Sequence, residues 1–399
     1  METGFALWLS RRQIACVLRH RGTVPAAFAA AVTTEQHQRA ADYTVARERL
    51  AMAQRAAMAA LNAALLLGGL DLIYGVLAAA FPASIELSTG FVLAVNAVTE
   101  AAALPFAVWS TFVVERRFGF NRTTLRTFMV DRLKGAALEL LLNTPLLLAC
   151  FWVMRHASGW WWLWTWAGLV VAAGALAWAY PRFLAPLFNT FAPLPQGELR
   201  TRVERLMARC GFRASGLFTM DASRRSAHGN AYFTGIGRTK RIVLFDTLIA
   251  RHPADELEAV LAHELGHFAH HHGLWRMVWL AGTAFCVLWG FGWLTRQGWL
   301  LPALGIAHAD NALRLYACLL LAGVLGPVGT VLGNWISRRN EFQADAYARD
   351  HIGAKPLVAA LLRLTRDNAG TLTPDPLYAL VHYSHPPVPT RVRQLGGQG

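Results

Sequence analysis

His263, Glu264 and His267 make a His-Glu-x-x-His group inside the stretch AVLAHELGHFAHHH, residues 259–272. On an α-helix, residues four apart stand one turn above each other on one face, so the two imidazoles can share one divalent cation. Neutral imidazole suits Zn²⁺, and Glu264 between them can accept a proton from a water that the metal activates. A solvated, His-rich helix would carry the same residues, so the group alone leaves both readings open. A second group, EFQAD at 341–345, favours the metal. It offers Glu341 as a third ligand and Asp345, one turn later, as a carboxylate partner for a ligating His. Extension to a third His fails, because His270 and Gly273 stand where that pattern requires a Gly and a His. Two His, one Glu and an open fourth position is therefore the chemistry on offer.

The elements that must bring these residues together are mostly apolar. Hydrophobic residues make up 55% of the 399 and charged residues 16%, and the mean hydropathy is +0.32. That balance excludes an ordinary soluble domain and implies several membrane spans, while leaving a transporter possible. Six apolar stretches, near 58–81, 88–109, 135–154, 159–180, 274–296 and 312–336, are each long enough to cross a hydrocarbon core of about 30 Å. Asp71, Asn96, Glu100 and Asn143 lie within them and must face a bundle interior or water, for helix pairing or for function. The five cysteines have no paired spacing and read as thiols, not as a disulfide framework.

The formal net charge of +14 sits in the loops. No nucleic-acid module accompanies it, so no nucleic-acid partner is expected, and the charge reads as a topology signal. Residues 110–134 carry Arg116, Arg117, Arg122, Arg126, Arg132 and Lys134, and 181–272 and 337–399 are also Arg-rich, whereas 82–87 and 297–311 have no Lys or Arg. The positive-inside rule then puts the basic loops, and both halves of the metal site, in the cytoplasm. Within 181–272 a Pro-punctuated loop leads into a helix from about Gly197. GLFTMDAS, NAYFTGIG and KRIVLFDTLI follow as short strands, and a helix from about Pro253 carries the His-Glu-x-x-His. At the other end, GFALWL at 4–9 is too short to span, since six helical residues cover about 9 Å. Residues 1–20 are thus expected to form an interfacial or cytoplasmic helix.

Seven segments together resemble the type 1 CAAX prenyl proteases, integral-membrane zinc metalloendopeptidases of the gluzincin type. They are VVERRFGFNRTT (113–124), PLFNTFAPLPQGEL (186–199), SRRSAHGNAYFTG (223–235), KRIVLFDTLI (240–249), AHELGH (262–267), SRRNEFQADAYA (337–348) and YSHPPVPTR (383–391), in family order. The resemblance implies a mainly α, polytopic membrane fold around a water-filled chamber, with a small α+β zinc-peptidase domain closing its cytosolic end. The family has seven spans. Here six and a truncated first-helix remnant are expected, with a short form and an upstream start both left open. The expected organisation is 1–57, remnant and amphipathic cytoplasmic segment; 58–180, four spans with the loop 110–134; 181–272, the zinc-peptidase domain; 273–336, two spans; and 337–399, the part carrying the third ligand.

The resemblance also implies one Zn²⁺ per chain on His263, His267 and Glu341, with Glu264 as the base and Asp345 holding a ligand. His385 and Arg391, in HPPVPTR, match oxyanion-stabilising residues. Asn230, Ala231 and Tyr232, in NAYF, match the edge strand that pairs with an extended substrate, although an ordinary hairpin would read the same. His270, His271 and His272 match no ligand position and read as interfacial polar residues. The expected partners are the bilayer and a peptide presented at or in it, prenylated or not. The Ala- and Arg-rich composition suits a bacterial inner membrane, where quality control of membrane proteins is an alternative to prenyl processing. A catalytically silent scaffold is the alternative from a different class.

Overall fold

Side chains that accept backbone N–H groups fix where the long helices begin. Thr33 and Gln36 form a reciprocal capping box at the start of the helix Thr34–Ala64. Ser84, Thr124 and Asp310 each accept one backbone N–H at the start of Ile85–Trp109, Leu125–His156 and Asn311–Ile352. The structure, a computed structural model, describes residues 2–212, 216–234 and 241–396.

In chain order the helices are α1 (Glu2–Arg19), α2 (Thr34–Ala64), α3 (Leu70–Ala80), α4 (Ile85–Trp109), α5 (Leu125–His156), α6 (Trp161–Ala179), α7 (Glu198–Arg209), α8 (Asp246–Ile249), α9 (Ala254–Ala269), α10 (His272–Leu294), α11 (Leu300–Ala303), α12 (Asn311–Ile352), α13 (Ala354–Asp367), α14 (Pro376–His382) and α15 (Val388–Gln394). Five helical runs are long and apolar enough to cross a membrane, or six if the bent pair Asn311–Val324 and Gly326–Ile352 counts as one span. The six apolar stretches of the sequence fall one in each of these runs. In the five, only 6–17% of the most apolar windows is buried, so the spans do not form a solid bundle. Leu67, Leu141, Val171 and Trp289 stand exposed, as side chains facing lipid or an open interior do. Polar segment and first span are one continuous run: α2 passes through an irregular turn at Leu65–Gly69, where Gly68 takes φ 123°, directly into α3.

The sheet has the order β1-β2-β4-β3, from β1 (Phe191–Pro193), β2 (Gly216–Met220), β3 (Ala231–Thr234) and β4 (Arg241–Phe245). β2 and β4 run parallel, and β3 pairs antiparallel with β4 through Ala231↔Leu244 and Tyr232↔Val243. Three strands were expected. The fourth, β1, lies in the Pro-rich segment read as loop, where the only partner it needs is an edge of β2. KRIVLFDTLI does not continue as strand past Phe245, because Asp246 accepts from Ser223 N and Thr247 N and turns the chain into α8. The Gly-containing turn expected between β3 and β4 falls at 235–240, outside the described residues. Ile242, Leu244, Leu248, Leu257, Leu261 and Leu265, all at most 2% exposed, join the sheet to α9.

The expected amino-terminal helix is α1. Leu9 and Val17 are fully buried, and Leu9 packs with Tyr378 and Val381 of α14. Arg12 pairs with Asp375 at 3.0 Å, and Gln13 accepts from Asp375 N at 2.7 Å.

Candidate metal centre

α9 starts after Pro253, with Asp255 and Glu256 in its first turn complementing the helix dipole. Glu256 is buried and held by a two-pronged contact from Arg363 (2.8 and 2.9 Å), which ties α13 to the start of α9. At the other end Gly266 lets α9 approach α12 closely. A methyl group there would come within 2.8 Å of Ala344 Cα, a backbone atom that cannot swing aside. This contact brings the two halves of the sequence motif, 74 positions apart from 267 to 341, into one cleft.

His263 Nε2 and His267 Nε2 lie 3.3 Å apart, and Glu341 places Oε2 3.5 Å from the first and Oε1 3.3 Å from the second. Among the described residues, His263, His267 and Glu341 are the group of side chains able to hold a metal ion. Glu341 is 3% exposed, and its Oε2 is buried without a hydrogen-bond partner, an orphaned acceptor that a cation would satisfy. The residues therefore fit a metal. Behind His263, Asp345 Oδ1 accepts from Nδ1–H at 2.9 Å, which leaves Nε2 as the free lone pair. Arg391 donates to both Asp345 oxygens (2.8 and 2.6 Å) and stands 3.4 Å from Glu341 Oε2.

The charges follow from burial and these contacts. Burial works against an imidazolium at His263, but Asp345 and Glu341 outweigh it and raise its pKa to about 9. Burial likewise works against the Glu341 carboxylate, yet the facing His263 and His267 imidazoles hold it far below the ordinary range. Glu264 differs: burial dominates and pushes its carboxyl up. His385 Nε2 lies 3.2 Å from Glu341 Oε1, and its Nδ1 lies 3.0 Å from Ser384 Oγ. Its side chain is 65% exposed to the cleft, but the surrounding protein mass lowers its pKa below the ordinary value.

Asn230, Ala231, Glu264 and His385 line the same cleft of about 210 Å³. β3 lies at the sheet edge, and the alternation of a strand turns the Tyr232 ring away from the cleft onto Phe245 and Met220. The Tyr232 side chain therefore does not line the cleft. Two residues that spacing did not single out also lie beside these side chains. Asn368, at the end of α13, accepts from Gly229 N (3.2 Å) and donates to Gly229 O (3.3 Å), clamping the approach to β3. His272, read as an interfacial residue, is buried against His267.

With this geometry in hand, the chain compares closely with known proteins. Residues 13–190 match the pattern of the CAAX prenyl protease N-terminal, five membrane helices, and residues 193–398 match peptidase family M48. The chain belongs to the type 1 CAAX prenyl protease family. It is 36% identical to the Arabidopsis thaliana CAAX prenyl protease 1 homolog over 77% of its length and 73% of the relative's. A probable CAAX prenyl protease 1 of Schizosaccharomyces pombe is 32% identical over 98% of this chain and 85% of its own. The crystal structure of S. mikatae Ste24p superposes with a TM-score of 0.92 at 27% identity, covering 99% of this chain and 96% of that one. As a member of this family the chain is an integral-membrane metalloprotease, and the silent scaffold is not favoured.

Proposed function

We propose that the protein is a zinc endopeptidase that cleaves near the C-terminus of prenylated, or otherwise membrane-presented, peptides, with one Zn²⁺ held by His263, His267 and Glu341. The observation that carries this reading is the convergence of those ligands, Glu264 and the β3 edge on one cleft. The spacing suits one shared ion: tetrahedral ligands at about 2.0–2.1 Å from Zn²⁺ stand about 3.3–3.4 Å from each other, and the two imidazole nitrogens here are 3.3 Å apart, with Glu341 approaching His267 through Oε1 and His263 through Oε2. The relatives' names supply the prenyl part of the proposal.

A bound Zn²⁺ supplies a polarised scissile carbonyl and a water acidic near neutral pH. Glu264 takes the proton of the attacking water and delivers it to the departing amine. The backbone at Asn230 and at Ala231 and Tyr232 of β3 pairs with the extended substrate and sets its register, and Asn368 holds the start of that edge. His385 donates from Nε2–H to the developing oxyanion, giving up its contact with Glu341, while Arg391 adds positive charge behind it. Asp345 keeps His263 in the ligating tautomer. The Arg-rich loops support a cytoplasmic site by the positive-inside rule, and the Ala- and Arg-rich composition supports a bacterial inner membrane.

The test is cleavage of a farnesylated peptide and its unlipidated twin by the detergent-purified chain, read by mass spectrometry. Cleavage near the C-terminus that a chelator abolishes and Zn²⁺ restores is the expected result. Equal rates on both peptides would remove the prenyl requirement and leave membrane quality control. No cleavage of either by zinc-loaded protein would overturn the peptidase assignment.

A further inference from the structure

Gln343, His272 and His267 form a chain of hydrogen bonds that ends at the metal-facing imidazole. His267 directs Nε2 toward Glu341 and His263, so Nε2 is its ligand atom. Its other nitrogen, Nδ1, is 2.9 Å from His272 Nδ1, and His272 Nε2 is 2.8 Å from Gln343 Oε1. Each contact needs one proton, and the two possible distributions have opposite consequences. If Gln343 Oε1 accepts from His272 Nε2–H, His272 Nδ1 is bare and accepts from His267 Nδ1–H, which leaves His267 Nε2 free to ligate. The reverse order puts a proton on the metal-facing nitrogen.

The backbone is bent to make this contact. His272 follows His267 by five residues, and in an unbroken helix the two would point about 140° apart. α9 instead ends at Ala269, His271 takes the left-handed conformation at φ 56°, and α10 restarts at His272. That break returns the His272 ring to His267 and buries it to 7% exposure. Gln343 then reaches it from α12, two residues beyond Glu341.

We propose that His272 is a positioning residue of the metal centre. It fixes the tautomer and ring orientation of His267, and Gln343 fixes His272 in turn. The proposal rests on the metal reading above and adds to it a partner for the second ligand, as Asp345 is for the first. Partners of this kind typically change metal affinity by about 10–100-fold when removed.

The experiment is competitive Zn²⁺ titration of the full, detergent-purified chain against a chromophoric chelator. His272→Phe keeps the bulk but not the acceptor, and should weaken zinc binding by about 10–100-fold. His272→Gln, whose amide oxygen can accept from His267 Nδ1–H, should recover most of that loss. On the exposed side of α12, Gln343→Glu keeps the acceptor and should bind zinc at least as tightly as the wild type, whereas Gln343→Met should bind it less tightly. The Gln343 pair decides the matter if His272→Phe does not fold. Unimpaired zinc affinity in both His272→Phe and Gln343→Met overturns the proposal, as does equal weakening by His272→Phe and His272→Gln. A wild-type chain that binds no zinc would overturn the metal reading as well, so the two failures are distinct.

Discussion

Arg391 grips Asp345 through both carboxylate oxygens, and the same Asp345 Oδ1 that takes its 2.6 Å contact also accepts from His263 Nδ1 at 2.9 Å. Residues from α15 and α12 are thereby locked behind His263 of α9. Arg391 is 7% exposed and faces two ionised carboxylates, Asp345 and Glu341, so its charge balances the metal-free site.

Arg391→Ala should therefore destabilise the metal-free protein by about 3–5 kcal/mol, the usual cost of leaving a buried charge unpaired. Zn²⁺ should recover part of that loss, because the added cation compensates the same carboxylates. Thermal unfolding with and without zinc reads both effects. An unchanged midpoint in the metal-free variant would show that Arg391 does not balance the site.

Glu341→Ala and Glu264→Gln should separate binding from chemistry. The first removes a ligand and should strongly reduce zinc content. The second keeps all three ligands and should hold near-stoichiometric zinc with almost no peptide cleavage. Metal analysis beside a cleavage assay checks the pair, and full zinc occupancy in Glu341→Ala would move the third ligand elsewhere.

His385→Ala should lower kcat by about 10²–10³, the usual loss for an oxyanion donor, with a smaller change in KM. Zinc content should stay normal, since His385 touches the site only through Glu341 Oε1. Wild-type kcat in this variant would remove the oxyanion role.

Zinc affinity should rise with pH up to about 9, because the metal must displace the proton that Asp345 and Glu341 hold on His263. The sign for the metal-free protein is opposite. A raised His pKa contributes stability below its unfolded value, about 6.5, and that contribution is lost as pH rises through about 9. Calorimetry in buffers of different ionisation enthalpy should record about one proton released per zinc bound at pH 7. An affinity independent of pH between 6 and 8 would contradict this account.

Single cysteines placed in α1 near Gly4 and in the C-terminal part near Gln394 should react with an impermeant maleimide from the same side of sealed vesicles. The basis is the contact of α1 with α14 along Leu9, Arg12 and Gln13. Labelling from opposite sides would make α1 a membrane span.

The sequence by itself determined the chemistry and the medium. Residues whose spacing matches a local period, such as His263 and His267 one helical turn apart, announce a shared face without any knowledge of the fold. Long apolar runs and Arg-rich loops likewise follow from transfer energies that each segment carries alone. The structure decided what depends on how separate segments meet. Gly266 is a metal-site residue only because α12 passes within contact of it, and β1 is a strand only because β2 offers it an edge. Asn368 has no local pattern to mark it, and its role comes from facing Gly229 across 139 positions. His272 shows the difference most plainly. Five residues from His267 is the wrong spacing for one helix face, and a left-handed turn at His271 had to break the helix before the two rings could share a proton.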